Sequence, residues 1–380
     1  MPTPPLPKTI LFVFGTRPEA IKLAPVIRRL REQPERFSAR VCVTAQHREL
    51  LDRVLEVFGL QPDYDLDVMR PGQTLSESTA RILAALDPVL LRESPDYVLV
   101  QGDTTTAFCG ALAAFYRGAP VAHVEAGLRT GDMRQPFPEE LNRVLVSKLA
   151  ALHFAPTAGS VRNLRNEGIS AESVFVTGNT GIDAVLEVCA DLAAGRLRAT
   201  GLPQLDASKK LILVTAHRRE SFGEGFERIC VALAQLAARG DVELVYPVHP
   251  NPNVQDPVNR HLSGRPSVHL IAPLDYLNFV ALMQRAHFLL TDSGGIQEEA
   301  PSLGKPVLVL REKTERPEAV DAGTARLVGT DPEKILAESA LLLDNATEYE
   351  RRARIHNPYG DGTASLQIRE ILANAAPGNS

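Results

Sequence analysis

A chain of 380 residues exceeds one ordinary core and suits two or three domains. Apolar residues make up 44 % and charged residues 23 %, which excludes a disordered or membrane-embedded chain. The net charge of −5 offers no overall basic field, so no nucleic-acid partner is expected.

The Pro-rich start "MPTPPLPK" leads into the apolar residues 10–14, too short a run for a signal-peptide core. No stretch approaches the ~20 apolar residues of a membrane span. A cytoplasmic protein without a membrane partner is expected. Short apolar runs then alternate with helical patterns: "TILFVFG", "ARVCVTA", "DYVLVQGD", "PVAHVEAG", "LHFAPT" and "SVFVTGN". After a polar break over residues 195–210 come "LILVTAH", "ELVYPVH", "VHLIAP", "FLLTDS", "PVLVL" and "ARLVG". Near-continuous apolar strands joined by helices read as parallel sheets covered on both faces. The expected fold is α/β, with two doubly wound Rossmann-like domains facing a central cleft. Residues 1–180 form the first and residues 181–363 the second, with a final helix at 364–380 packing back on the first. Cys42, Cys109, Cys189 and Cys230 are widely spaced in or beside apolar segments, as buried reduced thiols are.

In open α/β sheets, ligands bind outside the carboxyl ends of the strands, so polar residues just after strands carry the functional signal. The first such rim, "FGTRPEAIK", sets Arg17 and Lys22 near a helix start, where an anion is favoured. Three further rims bring acids: Asp103 in "VQGDTTT", Glu125 in "HVEAGLRT", and Glu139 with Glu140 and Arg143 in "PFPEELNR". Asp103 could cap the next helix and Glu139 suits a helix N-terminus, whereas Glu125 has no obvious capping task. Several acids at one rim are material for proton transfer.

The second half supplies complementary charge. His217, Arg218 and Arg219 follow one strand in "VTAHRRESFG", and His249 follows another in "YPVHPNP". In "TDSGGIQEE", Ser293, Gly294 and Gly295 open a helix whose unsatisfied N–H groups suit a phosphate. Glu298 and Glu299 are then free to accept from ribose hydroxyls. The turn lacks the P-loop lysine and the dinucleotide glycine spacing, so no NAD is expected. No histidine pairs with an acid or thiol at zinc spacing, so no required metal is expected either. The residues alone reach a two-domain enzyme that binds a nucleoside diphosphate and carries several acids.

"FGTRPEAIKLAPVI", "TAQHRELLD", "QGDTTT", "HVEAGLRTGD", "PFPEELNR", "HRRESFG", "YPVHPNP", "TDSGGIQEEAPSLGKPVLVLREKTERPEA" and "NPYGDG" follow one another in this order along nearly the whole chain. This ordered set resembles the non-hydrolysing UDP-N-acetylglucosamine 2-epimerases. The resemblance implies a glycosyltransferase B-like fold, a homodimer, and reversible isomerisation of UDP-GlcNAc to UDP-ManNAc. That product supplies ManNAc for cell-surface polysaccharide. The implied catalytic set is Lys22, Asp103, Glu125, Glu139, Arg143 and His217. The implied nucleotide contacts are Arg17, His217, Phe279, Ser293, Gly294, Gly295, Glu299 and Arg316. A second UDP-GlcNAc acts as allosteric activator in the family, and Gln46, His47, Gln73, Arg218 and His249 match that regulatory site. Some relatives carry a basic residue just before Gln73, where this chain has Gly72. The competing readings are a UDP-sugar-dependent glycosyltransferase of the same fold, a hydrolysing 2-epimerase and a non-catalytic UDP-sugar sensor.

Overall fold

The computed structural model describes residues 6–44 and 48–375, with the side chains of residues 48–50 left out. The chain divides into two compact units, residues 1–184 with 359–380, and residues 185–358. The boundaries expected from sequence lie at 180/181 and 363/364; the contacts divide the chain at 184/185 and 358/359.

The first unit begins β1 (Lys8–Phe14), α1 (Arg17–Arg31), β2 (Phe37–Val43), α2 (Arg48–Val57) and β3 (Tyr64–Asp65). It continues α3 (Leu75–Glu93), β4 (Tyr97–Gln101), α4 (Thr105–Tyr116), β5 (Val121–Val124) and α5 (Glu139–Leu149). It closes with β6 (Ala150–Ala155), α6 (Ala158–Asn166), β7 (Val174–Val176) and α7 (Thr180–Ala193), whose later turns belong to the second unit. The parallel sheet runs β3-β2-β1-β4-β5-β6-β7. It has seven strands where the sequence suggests six. The extra strand, β3, spans two residues, too few to leave an apolar pattern.

The second unit runs β8 (Lys210–Thr215), α8 (Glu224–Ala237), β9 (Val242–Pro247), α9 (Pro252–Leu262), β10 (Val268–Ile271) and α10 (Tyr276–Arg285). Then follow β11 (Phe288–Thr291), α11 (Gly294–Glu299), β12 (Val307–Val309), α12 (Pro317–Ala322), β13 (Ala325–Leu327), α13 (Pro332–Asp344) and α14 (Ala346–Ala353). Its parallel sheet runs β10-β9-β8-β11-β12-β13. In both sheets the order reverses beside the first strand of the unit. That places a topological switch point at the β1/β4 and β8/β11 ends.

The central strands are buried throughout, as helices on both faces require: all five residues of β4 and all four of β11 are buried. All four cysteines are buried and free of disulfides. The last helix, α15 (Ala364–Asn374), packs on α1. Lys8 Nζ at the start of β1 donates to the carbonyls of Leu372, Ala373 and Ala375, satisfying the end of α15. Residues 376–380, part of the expected final helix, lie outside the described residues. Among the described residues no helix is long and apolar enough to cross a membrane.

Candidate active site

In the first unit the β1–α1 turn is closed by a capping box. The Thr16 hydroxyl accepts from Glu19 N, and the Glu19 carboxylate accepts from the amides of Gly15 (3.0 Å) and Thr16 (2.8 Å). Glu19 is fully buried, and that burial pushes its carboxyl up from the ordinary range. Its second oxygen accepts from the Thr104 hydroxyl at 2.6 Å. Thr104 in turn caps α4, accepting from Ala107 N at 3.0 Å. One carboxylate thus ties the turn that carries Arg17, half-buried as the first residue of α1, to the turn that carries Asp103.

Because Thr104 takes the cap, Asp103 is not spent on it. Its carboxylate pairs with Arg143 from α5, and its carbonyl accepts from Asn142 Nδ2 at 2.9 Å. Glu140 braces the same corner: it accepts from the amides of Thr130 and Gly131 at 3.0 Å each and lies 3.3 Å from Arg143 Nη1. Glu139 is the first residue of α5 and has no ion-pair partner among the described residues.

Glu125 directly follows β5 and sits in the left-handed region, with φ 64°. A non-glycine residue there is strained, and such strain persists only where the surroundings impose it. Here they do. Lys22 from α1 and Gln101 from β4 both donate to Glu125 Oε2, the latter at 2.7 Å. His123, two residues earlier and fully buried, bonds through Nε2 to the Gly102 carbonyl at 2.7 Å. The ends of β4 and β5 lock each other: Gln101 fixes Glu125, and His123 fixes the turn before Asp103. Burial holds the His123 ring neutral, with its pKa lowered to about 3.

In the second unit the rim is built from donors. The amides of His217 and Arg218 donate to Asp292 Oδ2 at 2.6 and 2.7 Å. The Tyr246 hydroxyl donates to the Ala216 carbonyl at 2.6 Å. The His217 ring stacks on the exposed His249, centroids 5.5 Å apart and planes 12° apart. Desolvation lowers the His217 pKa, opposed by Asp292 and reinforced by His249 and Arg218. Ser293 stands at the N-cap of α11 without a side-chain cap bond, so its hydroxyl does not satisfy the first-turn amides. Gln297 Nε2 donates to the Ser293 carbonyl at 3.1 Å, and the Thr314 hydroxyl donates to Gln297 Oε1 at 2.7 Å. The Arg316 guanidinium carbon lies 3.6 Å from where a Gly294 Cβ would stand, so the cation covers the start of α11. Beside Gly295 there is open space.

Glu298 corrects a sequence expectation. It is 3 % exposed and paired with Arg316, so it is not free for ribose hydroxyls. As the fifth residue of α11 it faces inward, a direction that composition cannot reveal. Glu299 and Phe279 are half-buried.

The match to known proteins is extensive. Residues 28–373 match the family described as UDP-N-acetylglucosamine 2-epimerase. The UDP-N-acetylglucosamine 2-epimerase of Salmonella typhimurium is 58 % identical over 369 residues, covering 96 % of this chain and 98 % of the relative. The chain belongs to the UDP-N-acetylglucosamine 2-epimerase family. The crystal structure of the Neisseria meningitidis UDP-GlcNAc 2-epimerase, bound to UDP-GlcNAc, superposes with TM-score 0.87 at 50 % identity, covering 97 % of this chain and all of that one. The glycotransferase of kitacinnamycin is similar at TM-score 0.62 and 14 % identity, over 96 % of this chain and 99 % of that one. That likeness speaks to the fold alone, two Rossmann-like domains of the glycosyltransferase B kind.

Within this epimerase fold, Arg218 and His249 adjoin His217 on one rim. Gln73 belongs to the other unit, where its amide reaches Met69 Sδ at 3.1 Å. Gln46 and His47 lie outside the described residues. Sequence reasoning missed Glu19, Gln101, His123 and Asp292. The capping-box spacing of Thr16 and Glu19 could have revealed the first; the others act through partners on adjacent strands and leave no local signal.

Proposed function

We propose that the protein interconverts UDP-GlcNAc and UDP-ManNAc without hydrolysis, inverting C2 through cleavage and re-formation of the bond between C1 and UDP. The observation that carries this reading is the pair of carboxylates at the adjoining ends of β4 and β5, Asp103 and Glu125, each held by a cation from another element. It is supported by family membership and by the relative whose structure holds UDP-GlcNAc.

The C2 hydrogen is not next to a carbonyl, so a carboxylate base alone cannot remove it. Expulsion of UDP from C1 as that proton leaves gives 2-acetamidoglucal and avoids a carbanion. In the α-linked gluco sugar the C2 hydrogen and C1 oxygen are trans-diaxial, so this half is anti; re-addition to give the manno sugar is syn. Protons therefore move on opposite faces, which calls for more than one acid/base group. Asp103, Glu125 and Glu139 are the proposed groups, with Lys22 and Arg143 positioning their partners. Arg17, His217, Arg316 and the Ser293–Gly295 turn would stabilise the departing diphosphate, Phe279 and Glu299 the uridine end. No cofactor and no metal enter the scheme.

In the cell the product would supply ManNAc for surface polysaccharide. A second UDP-GlcNAc, held by Gln73, Arg218 and His249 with Gln46 and His47, would act as activator. We also propose a homodimer. The α3 and α4 layer exposes Leu91, Phe115 and Tyr116, and a cavity of about 450 Å³ opens beside the exposed Leu75 and Phe137. Light scattering that reports a monomer at micromolar concentration would remove that part.

The deciding experiment is incubation with UDP-GlcNAc alone in deuterated water. Deuterium at C2 in both nucleotide sugars is expected. An unexchanged substrate would favour a transferase or a sensor, and free ManNAc with UDP would mark a hydrolysing enzyme.

A further inference from the structure

Asp292 is an unexpected charge in its position. It directly precedes the Ser293–Gly295 turn, to which the proposed function gives a diphosphate, yet it is a carboxylate only 1 % exposed. Its Oδ2 is spent on the amides of His217 and Arg218. Its Oδ1 is buried, accepts no hydrogen bond among the described residues, and lies 3.5 Å from His217 Nδ1. Holding the loop uses one oxygen. The second is left facing an imidazole.

That imidazole is tightly placed. Asp292 pins its backbone, Tyr246 pins the carbonyl before it, and the ring stacks on His249. The strands beneath are joined by the hydroxyls of Thr215 and Thr291 at 2.6 Å. With Nδ1 turned to the buried carboxylate, Nε2 points the other way, and 41 % of the side chain is exposed. The charged or titratable groups around the ring are Asp292 from the end of β11, His249 from beyond β9, and Arg218 from its own loop.

We infer that Asp292 is a positioning residue that fixes His217 as the Nδ1–H tautomer and lets it take up a proton at Nε2 when a diphosphate binds. This rests on the proposed reading of the rim as the diphosphate site. In the free protein Nδ1–H faces Oδ1 and Nε2 carries no proton. A diphosphate beside Nε2 adds negative charge, a solvent proton joins Nε2, and the imidazolium then donates at both ends. The carboxylate's charge is what favours this cation against the desolvation that lowers the ring's pKa. The arrangement also explains how an acid can sit next to an anion turn: its charge is directed into the loop, away from the ligand.

Two measurements test the inference. Nitrogen-15 spectra of histidine-labelled, ligand-free protein should show His217, assigned by its loss in His217→Gln, as the Nδ1–H tautomer. In Asp292→Asn its titration should move to lower pH. Calorimetry of UDP binding in buffers of different ionisation enthalpy should show proton uptake near pH 7.5 that falls in Asp292→Asn. If the carboxylate is worth one pKa unit on His217, UDP affinity drops ~tenfold with it. An Nε2–H tautomer in the parent protein, or an unchanged titration in the variant, overturns the inference. UDP binding by the parent without proton uptake overturns it as well, while leaving the proposed function standing. Failure of the parent to bind UDP counts against the proposed function, and the tautomer still decides the role of Asp292. A variant that does not fold leaves the decision to the two parent measurements.

Discussion

The two sheets share their strand order, yet the residues at their carboxyl ends differ in kind. At the first rim the groups are acids, and neighbours hold two of them: Glu125 by Lys22 and Gln101, Asp103 by Arg143. At the second rim the groups are donors, and the Ser293–Gly295 turn has open space beside Gly295. A proton-transfer group needs a fixed direction, because the atom it serves does not move far. A phosphate site needs room and unsatisfied N–H groups. One topology therefore carries two designs, and substitutions should separate them.

The largest expected effect comes from the acids. Glu125→Gln or Asp103→Asn should lower turnover by ~10²–10⁴-fold, the range for a lost acid or base. UDP affinity should stay unchanged by calorimetry, because the loss lies with the first rim. Normal turnover in either variant removes that residue from the mechanism. The opposite signature is expected for Arg316→Ala. Charge-assisted hydrogen bonds are worth ~1.5–3 kcal/mol, so UDP affinity should weaken ~10- to 100-fold. If Arg316→Ala binds UDP as tightly as its parent, the division of labour between the rims fails.

These groups were unequally legible in the sequence. Apolar runs exposed twelve strands because both faces of each sheet are covered, and the two-residue β3 stayed hidden. Asp103, Glu125 and the Ser293 turn were visible because residues just after strands point to the rim. Their supports were not. Gln101, His123 and Asp292 act on β4, β5 and the β8 loop through cross-strand contacts, and cross-strand register is absent from a linear reading. Glu298 shows the converse error: it looks like a rim residue in the sequence and is turned inward by its helix.

A smaller effect should appear at the glycines of the two turns. A Cβ on Gly15 would overlap Thr44 Oγ1 and stand 2.7 Å from Thr106 Oγ1, two buried hydroxyls bonded to each other at 2.9 Å. Gly15→Ala should cost about 1–3 kcal/mol, as overpacking does. Gly295→Ala meets nothing within 4 Å and lies in a helix, where alanine is preferred by up to ~1 kcal/mol. Its thermal midpoint should be unchanged or slightly raised. Equal losses for the two would contradict the contrast between a packed rim and an open one.

The last contrast is a pH dependence, absent at neutral pH and confined to the first unit. His123 is fully buried with its pKa lowered to about 3, against 6.5 for an exposed ring. Above pH 6.5 neither the folded nor the unfolded ring binds a proton, and the residue adds no pH dependence. Below that, only the unfolded chain takes the proton, so stability falls at up to about 1.4 kcal/mol per pH unit as pH drops toward 3. His123→Gln keeps a donor for the Gly102 carbonyl and removes the titration. Denaturant melts at pH 6.5, 5.5 and 4.5 should therefore show a shallower acid loss in this variant. His217→Gln should flatten the slope less, since that side chain is 41 % exposed and can take its proton without unfolding. If the two variants share one acid slope, the buried histidine does not distinguish the first rim from the second, and its neutral state must be maintained at no cost to folding.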